Sequence, residues 1–471
     1  MEYMAKKMFT PLSRCVAFIS DHTFRLWRGR VDGVVYQTPK TSIPRPLIET
    51  EIQKKRSNTR RFVLSWLAIA LLIRIVFVLV LEPDKYYFSD TRHYDAAARY
   101  LLEHGNLPKD YYRAPLYPAL MAGVYAVAGH SFLAVRLFEV LLGTLLCLLI
   151  YQLANNLFGS NVAKLSLVLS VFFPHFIILS GILYPTLSFT LLLILCVFLL
   201  FRHEHGLLYA FLAGSVAALA ALNRPAVFFL LPVWLTWLLW DRTFIVKKRI
   251  LRLVLFIFGL LLTLTPWTIR NYHVYHRLVL VQNLPHTVLP DLEDQEANNH
   301  EINSGFQKTV DYLAKNPTGS QKDALSKTIM HYVHDPIGTL KYVAKEMVHF
   351  WAPYPDRLDS GDPSYRSAIY SQDERMFTNG ELFWKLVPYF STIIMVPTML
   401  LALFGLGLLY PWNQKMIFLL LTIASMALGY SLIYAEVRYR IPVEPFIIMF
   451  TAIGLERFTH ISKKLPFNVN H

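Results

Sequence analysis

Residues 88–118 read FSDTRHYDAAARYLLEHGNLPKDYYRAPLYP and gather the side chains best suited to chemistry. Asp90, Asp95, Arg92 and Arg113 fall together with several tyrosines just after the first long apolar run. A carboxylate held there can take a proton from a hydroxyl or amine acceptor. Arginines beside it can neutralise a departing phosphate. Carboxylates and arginines at a membrane surface therefore suit chemistry on a phosphate-bearing lipid. Asp90 is the candidate base, with Arg92, Tyr94 and Arg113 as candidate substrate-binding residues. Helical spacing puts Asp90, Tyr94 and Ala97 on one face and pairs Asp95 with Arg99 at i,i+4 on another. The plainer role for Ser89 or Asp90 is to cap the N-terminus of that helix.

The elements that must hold these residues are membrane helices. The chain has 471 residues, 54% of them hydrophobic, with a positive mean hydropathy. That is more apolar than an ordinary soluble domain. Apolar runs of spanning length recur from residue 62 onward, and their lack of alternating polarity makes a β-barrel a poor fit. The fold class expected is an all-α polytopic membrane protein of about ten transmembrane helices with a mixed extracytoplasmic loop domain. Candidate spans are 62–81, 131–154, 162–180, 183–201, 207–222, 225–240, 250–268, 386–410, 416–434 and 441–456. Trp240, Trp267, Trp384 and Trp412 sit near run ends, as interface anchors do.

Residues 114–129 are apolar but short, and contain Pro115 and Pro118. If they lie in the interface, the basic stretches at 202–205 and 241–249 fall on the cytoplasmic side with the basic N-terminal tail. The positive-inside rule favours that arrangement. It divides the chain into a basic cytoplasmic tail (1–61) and a transmembrane core (62–268) with a first outer loop at 83–130. An extracytoplasmic loop domain (269–385), C-terminal transmembrane helices (386–457) and a cytoplasmic tail (458–471) follow. Within the loop domain, 321–350 reads as helix broken at Asp335-Pro336. No signal-peptide core precedes residue 62, so the first span is expected to act as the insertion signal.

A net charge of +14 lies mostly outside the apolar runs. It is read as topology and attraction to anionic membrane lipids, with no nucleic-acid partner. The three cysteines suggest neither a disulfide framework nor a metal knuckle. Asp291, Glu293, Asp294 and Glu296, with His286 and His300, match no calcium loop. His331, His334 and Asp335 share a helix end without a metal pattern, and no metal site is expected. Arg74, inside the first span, is expected to bond another helix. His175 and Tyr184 read as packed interfacial residues, and Arg224 as a turn anchor whose position keeps a ligand role open.

Several motifs bring a family into view. D-x-x-x-Y followed by a helix and R-x-P-L-Y-P, here Asp90, Tyr94 and residues 113–118, resembles the first outer loop of the glycosyltransferase C superfamily. That superfamily includes protein O-mannosyltransferases and the aminoarabinose transferases of lipid A. Arg136 early in the next span, Leu222-Asn223-Arg224-Pro225, residues 265–272 (TPWTIRNY) and residues 438–445 (RYRIPVEP) resemble further family motifs in the expected order. The resemblance covers about residues 62–457. It implies a polyprenyl-phosphate-sugar donor as co-substrate, no cofactor, inversion at the anomeric carbon, and an extracytoplasmic acceptor. It also implies Asp90 as the catalytic carboxylate, with Arg113, Arg270 and Arg438 or Arg440 holding the lipid phosphate. Many relatives carry a second acidic residue at the second outer turn. Here residues 180–186 read SGILYPT, so metal-independent chemistry is expected.

The reading is an integral membrane glycosyltransferase, placed in the bacterial inner membrane because no retention signal ends the chain. A transporter or lipid flippase is the alternative. It would show repeated halves and charges near the bilayer midplane. A surface-glycan polymerase or ligase would share the lipid substrate without this first-loop pattern.

Overall fold

The computed structural model describes residues 45–80, 90–109, 111, 113–202, 206–276, 278–282, 334–353 and 381–462. Met1–Arg61 and Phe62–His471 form two compact units. Apart from the start of the first helix, everything below concerns the second. Helices account for the regular structure, and no strand occurs among the described residues.

The first helix, α1 (Arg45–Val80), begins well before residue 62, where the apolar pattern starts. Then come α2 (Asp90–His104), α3 (Leu116–Ala128), α4 (Phe132–Phe158), α5 (Ser160–Phe172), α6 (Pro174–Gly181) and α7 (Thr186–Leu200). The series continues with α8 (Gly206–Asn223), α9 (Val227–Trp240), α10 (Val246–Tyr275) and α11 (Pro336–Trp351). It ends with α12 (Glu381–Leu408), α13 (Gln414–Ser431), α14 (Val437–Arg440), a 3-10 turn (Ile441–Val443) and α15 (Glu444–Ser462). This is an integral, multi-pass membrane architecture.

Among the described residues, six helices are long and apolar enough to cross a membrane, or seven if α5 and α6 count as one bent span. About ten were expected, and length and composition alone leave out several of them for local reasons. The apolar run 162–180 breaks into α5 and α6, bent by 46°. Pro174 cannot continue α5, because it has no N–H to donate, but it suits the first turn of α6. The runs 183–201 and 225–240 contain helices of only 15 and 14 residues. At 1.5 Å per residue these reach roughly 22 Å, short of a hydrocarbon core about 30 Å thick. Apolarity continued through Leu183, Tyr184, Pro225 and Ala226, which lie outside those helices. The 13-residue α3 packs against α2, consistent with a segment that does not cross.

Close helix packing uses small residues, as membrane bundles do. A Cβ added at Gly214 of α8 would lie 1.9 Å from the Phe256 carbonyl oxygen, and one at Gly259 of α10 would lie 2.3 Å from that of Phe211. Arg74 is fully buried and ties α1 to its neighbours. Its guanidinium donates to the Ala70 carbonyl (3.1 Å), Cys147 Sγ (3.4 Å) and the Ser170 carbonyl (3.4 Å). The expected bond from Arg74 to another helix is present.

The chain threads to and fro, so its loops collect at two ends. At one end Arg252 Nη1 meets Asp241 Oδ2 at 2.9 Å with both side chains buried, and Nη2 reaches the Leu200 carbonyl at 3.2 Å. The basic residues Arg202, Arg242, Lys247, Lys248 and Arg249 belong to this end. The other end carries α2, the 182–185 turn, the 224–226 turn, the end of α10, α11 and α14. All the candidate site residues lie there.

Candidate active site

Asp90 opens α2 and faces the turn between α6 and α7. Arg113 Nη2 donates to Asp90 Oδ1 at 2.8 Å, and the Tyr184 hydroxyl donates to Oδ2 at 3.3 Å. The next residue, Thr91, donates its hydroxyl to the Leu183 carbonyl at 3.1 Å. Two consecutive residues of α2 are thus stitched to two consecutive residues of the turn. One helical turn on, Tyr94 packs edge-on against Tyr117 and Tyr184, with centroids 5.3 and 6.1 Å apart. The Arg113 guanidinium lies 5.6 Å from the Tyr94 ring centre. Met121, Phe132 and Leu183 complete the apolar floor.

Asp95 behaves differently. It is fully buried, where it accepts from the Tyr125 hydroxyl and pairs with His130 Nε2, both at 2.8 Å. Arg99 Nε lies 3.2 Å from its second oxygen, so the expected i,i+4 pair is formed. Asp95 anchors α2 to α3 and the following corner. Asp90 keeps a quarter of its side chain exposed and is the accessible carboxylate. Burial alone would raise the Asp90 carboxyl, but the Arg113 and Arg438 guanidiniums outweigh it and hold it below the usual value. Asp90 is therefore ionised at neutral pH, as a base must be.

The second wall comes from α14. Arg438 Nη1 donates to the Tyr184 hydroxyl at 3.0 Å, so Tyr184 joins Asp90 to Arg438. Glu436 fixes the guanidinium with contacts of 2.6 Å to Nε and 3.2 Å to Nη2. Arg224 follows α8 and lies over Tyr184 (5.1 Å) and Tyr439 (5.6 Å). Tyr439 stacks flat on Tyr430, centroids 4.2 Å apart. Arg224 is only 9% exposed, yet its Nη1 has no hydrogen-bond partner among the described residues. A buried cationic donor left open is costly unless a ligand satisfies it.

Not every expected residue joins this cluster. Arg92 is exposed, two positions along α2 from Asp90, and so projects from another side of the helix. Arg270 clamps the first loop onto α10. Its Nη2 donates to the carbonyls of Leu107 (3.1 Å) and Pro108 (2.6 Å), and its guanidinium stacks on Trp267. The Tyr275 hydroxyl reaches the Tyr111 carbonyl at 3.0 Å in the same clamp. Arg440 is fully buried, paired with Glu444 at 3.2 Å and bonded to the Phe350 carbonyl at 3.1 Å. These two arginines hold backbone, whereas Arg438 faces the carboxylate. His175 pairs with Glu444 at 2.8 Å, while Tyr184 stands inside the site and not merely beside it.

Asp335 caps α11 through the Gly338 amide at 2.8 Å, so the expected break before Pro336 is a helix start. His286, Asp291, Glu293, Asp294, Glu296, His300 and His331 lie outside the described residues. Among the described residues, no three His, Cys, Asp or Glu side chains group as metal ligands would.

Comparison with known proteins agrees with this architecture. Residues 112–269 match the family of dolichyl-phosphate-mannose-protein mannosyltransferases. ArnT from Cupriavidus metallidurans, in its apo state, superposes with a TM-score of 0.52 at 12% identity, covering 86% of this chain and 61% of that one. The fold resembles that of ArnT. ArnT bound to undecaprenyl phosphate gives a TM-score of 0.50 at 13% identity over 84% of this chain and 60% of that one. The Archaeoglobus fulgidus oligosaccharyltransferase, tethered to an acceptor peptide with an NVT sequon, gives 0.52 at 14% identity over 86% and 51%. The chain thus spans about half to three-fifths of the length of these proteins. No curated protein sequence matches it.

Proposed function

We propose that this protein transfers a sugar from a polyprenyl-phosphate donor to an extracytoplasmic acceptor, by a single inverting displacement. The observation that carries this reading is one accessible, ionised carboxylate fenced by arginines. Asp90 touches Arg113 and is joined through Tyr184 to Arg438, and Arg224 beside them offers an open donor. The undecaprenyl phosphate bound by the Cupriavidus ArnT supports a polyprenyl carrier, and the peptide tethered to the archaeal enzyme supports a separate acceptor.

In this reaction Asp90 removes the proton from the acceptor oxygen or nitrogen as that atom attacks the anomeric carbon. The bond from that carbon to the phosphate oxygen breaks, and its electron pair stays on the phosphate. The donor phosphodiester becomes a phosphate monoester with one more negative charge, which Arg224 and Arg438 stabilise. Attack opposite the leaving group inverts the anomeric centre. The transferred group is a hexose or pentose, and the acceptor a glycolipid, polysaccharide or protein.

The chemistry is proposed to need no metal ion. Both Asp90 oxygens are engaged by donors, Arg113 and Tyr184, and the cations already beside it disfavour another. Arginine supplies here the positive charge that a divalent ion would otherwise bring. The bacterial inner membrane is the setting, with the site outside and the basic loops inside.

The test is transfer of radiolabelled sugar by the purified protein from a panel of polyprenyl-phosphate sugars, in chelator. Transfer of one sugar supports the reading. Sugar-lipid translocation in liposomes, with no transfer, would establish the flippase alternative instead.

A further inference from the structure

Glu346 is a buried acid that the chemistry above does not use. It lies on α11, 3% exposed, and its Oε2 accepts the Ala435 amide proton at 2.7 Å. One turn earlier, the Tyr342 hydroxyl donates to the Ile433 carbonyl. One turn later, the Phe350 carbonyl accepts from Arg440 Nη1 at 3.1 Å, and the Ala352 carbonyl takes a second bond from the same nitrogen. Tyr342, Glu346 and Phe350 recur at i, i+4 and i+8, one face of a helix. They meet residues 433, 435 and 440 in order, so one helix face runs along the segment that carries Glu436 and Arg438.

The far end of that segment is held as well. Arg440 pairs with Glu444, which pairs with His175 at the start of α6. Within the short α14, Arg438 and Arg440 point to different tasks. Arg438 faces Tyr184 and the site, and Arg440 faces the end of α11.

We propose that α11 is a splint that sets the position of Arg438, with Glu346 as its central positioning residue. This rests on the reading of Arg438 as a holder of the donor phosphate. A four-residue helix flanked by turns has little cooperative stability of its own. Without external bonds the guanidinium would sample positions away from the leaving group, and misplacement by an ångström is enough to slow a transfer step.

Two measurements on the purified full chain test this. The first is amide hydrogen exchange in residues 433–440 of Glu346→Ala, Glu346→Gln and Tyr342→Phe. The second is a double-mutant cycle of Glu346→Ala with Arg438→Ala, read as kcat/KM for the sugar donor. Exchange at 433–440 is expected to accelerate in Glu346→Ala, with the membrane helices unchanged. Glu346→Gln keeps an acceptor for the Ala435 amide and should restore slow exchange. Glu346→Ala should lower kcat/KM about tenfold in the wild type and hardly at all once Arg438 is gone. Unchanged exchange at 433–440 in both Glu346→Ala and Tyr342→Phe overturns the splint. Equal losses in both backgrounds overturn positioning through Arg438. Accelerated exchange together with a fully active Arg438→Ala would uphold the splint and overturn the phosphate role of Arg438.

Discussion

Tyr184 donates its phenolic proton to Asp90 across 94 positions of sequence, at 3.3 Å, and receives a bond from Arg438 at 3.0 Å on the same oxygen. A single hydroxyl therefore joins the first loop, the second turn and the segment before α15. The second turn presents a tyrosine and no carboxylate. That fits a site whose positive charge comes from guanidiniums.

The Asp90–Arg113 pair has a pH signature. Asp90 is depressed below its ordinary value, so its base form, and any stability it contributes, persists until pH falls through that lowered pKa. The acid limb of kcat/KM should lie below the usual aspartate value of about 3.9. Arg113→Met removes the nearest cation and should move the limb upward, and Arg113→Lys should largely restore it. An acid limb that stays in place in Arg113→Met would disconnect Asp90 from the rate.

Arg224 should separate function from stability. Its Nη1 is buried without a partner among the described residues, so Arg224→Met relieves a desolvated cation. Thermal stability of the ligand-free protein is expected to hold or rise. Loss of charge-assisted bonds to the donor phosphate should lower kcat/KM by about 10- to 100-fold. A destabilised variant with normal donor kinetics would assign Arg224 to packing alone.

Arg270 should behave in the opposite way. Its bonds to the Leu107 and Pro108 carbonyls hold the first loop. Arg270→Ala is expected to lower thermal stability by about 1.5–3 kcal/mol. A donor KM that rises more than that of Arg224→Met, at unchanged stability, would return Arg270 to the phosphate.

At the far end of the bundle, the buried Asp241–Arg252 pair should matter only for folding. Removing one partner strands the other, at a cost of about 3–5 kcal/mol. Asp241→Asn should therefore melt earlier in detergent while its folded fraction keeps wild-type kcat. A lowered kcat per folded molecule would mean that the two ends are coupled.

The sequence pattern carried much of this. Apolar runs located the helices, because membrane burial imposes long uniform stretches. The runs overshoot the helices where apolar residues continue through turns, as at Leu183-Tyr184, and Pro174 splits one run. Asp90, Tyr94, Arg113 and Arg438, which the structure brings together, stand out in the sequence because charged or aromatic residues beside a span need a reason. Arg270 and Arg440 carry the same signal and bond backbone carbonyls in the structure, since a guanidinium that collects carbonyls looks in sequence like one that awaits a phosphate. Glu346 left no local trace, because its partner Ala435 comes from a remote turn. The T-P-W-T-I-R-N-Y stretch ends α10, where Arg270, with Tyr275 just beyond it, bonds carbonyls of the first loop.

The most direct test is sugar transfer by purified Asp90→Asn beside wild type, with the donor that wild type uses. The amide keeps the shape and the bond from Arg113 but cannot take a proton. We predict a kcat lower by about 10²- to 10⁴-fold with unchanged folding. A folded Asp90→Asn that transfers sugar at the wild-type rate would contradict the account at its centre.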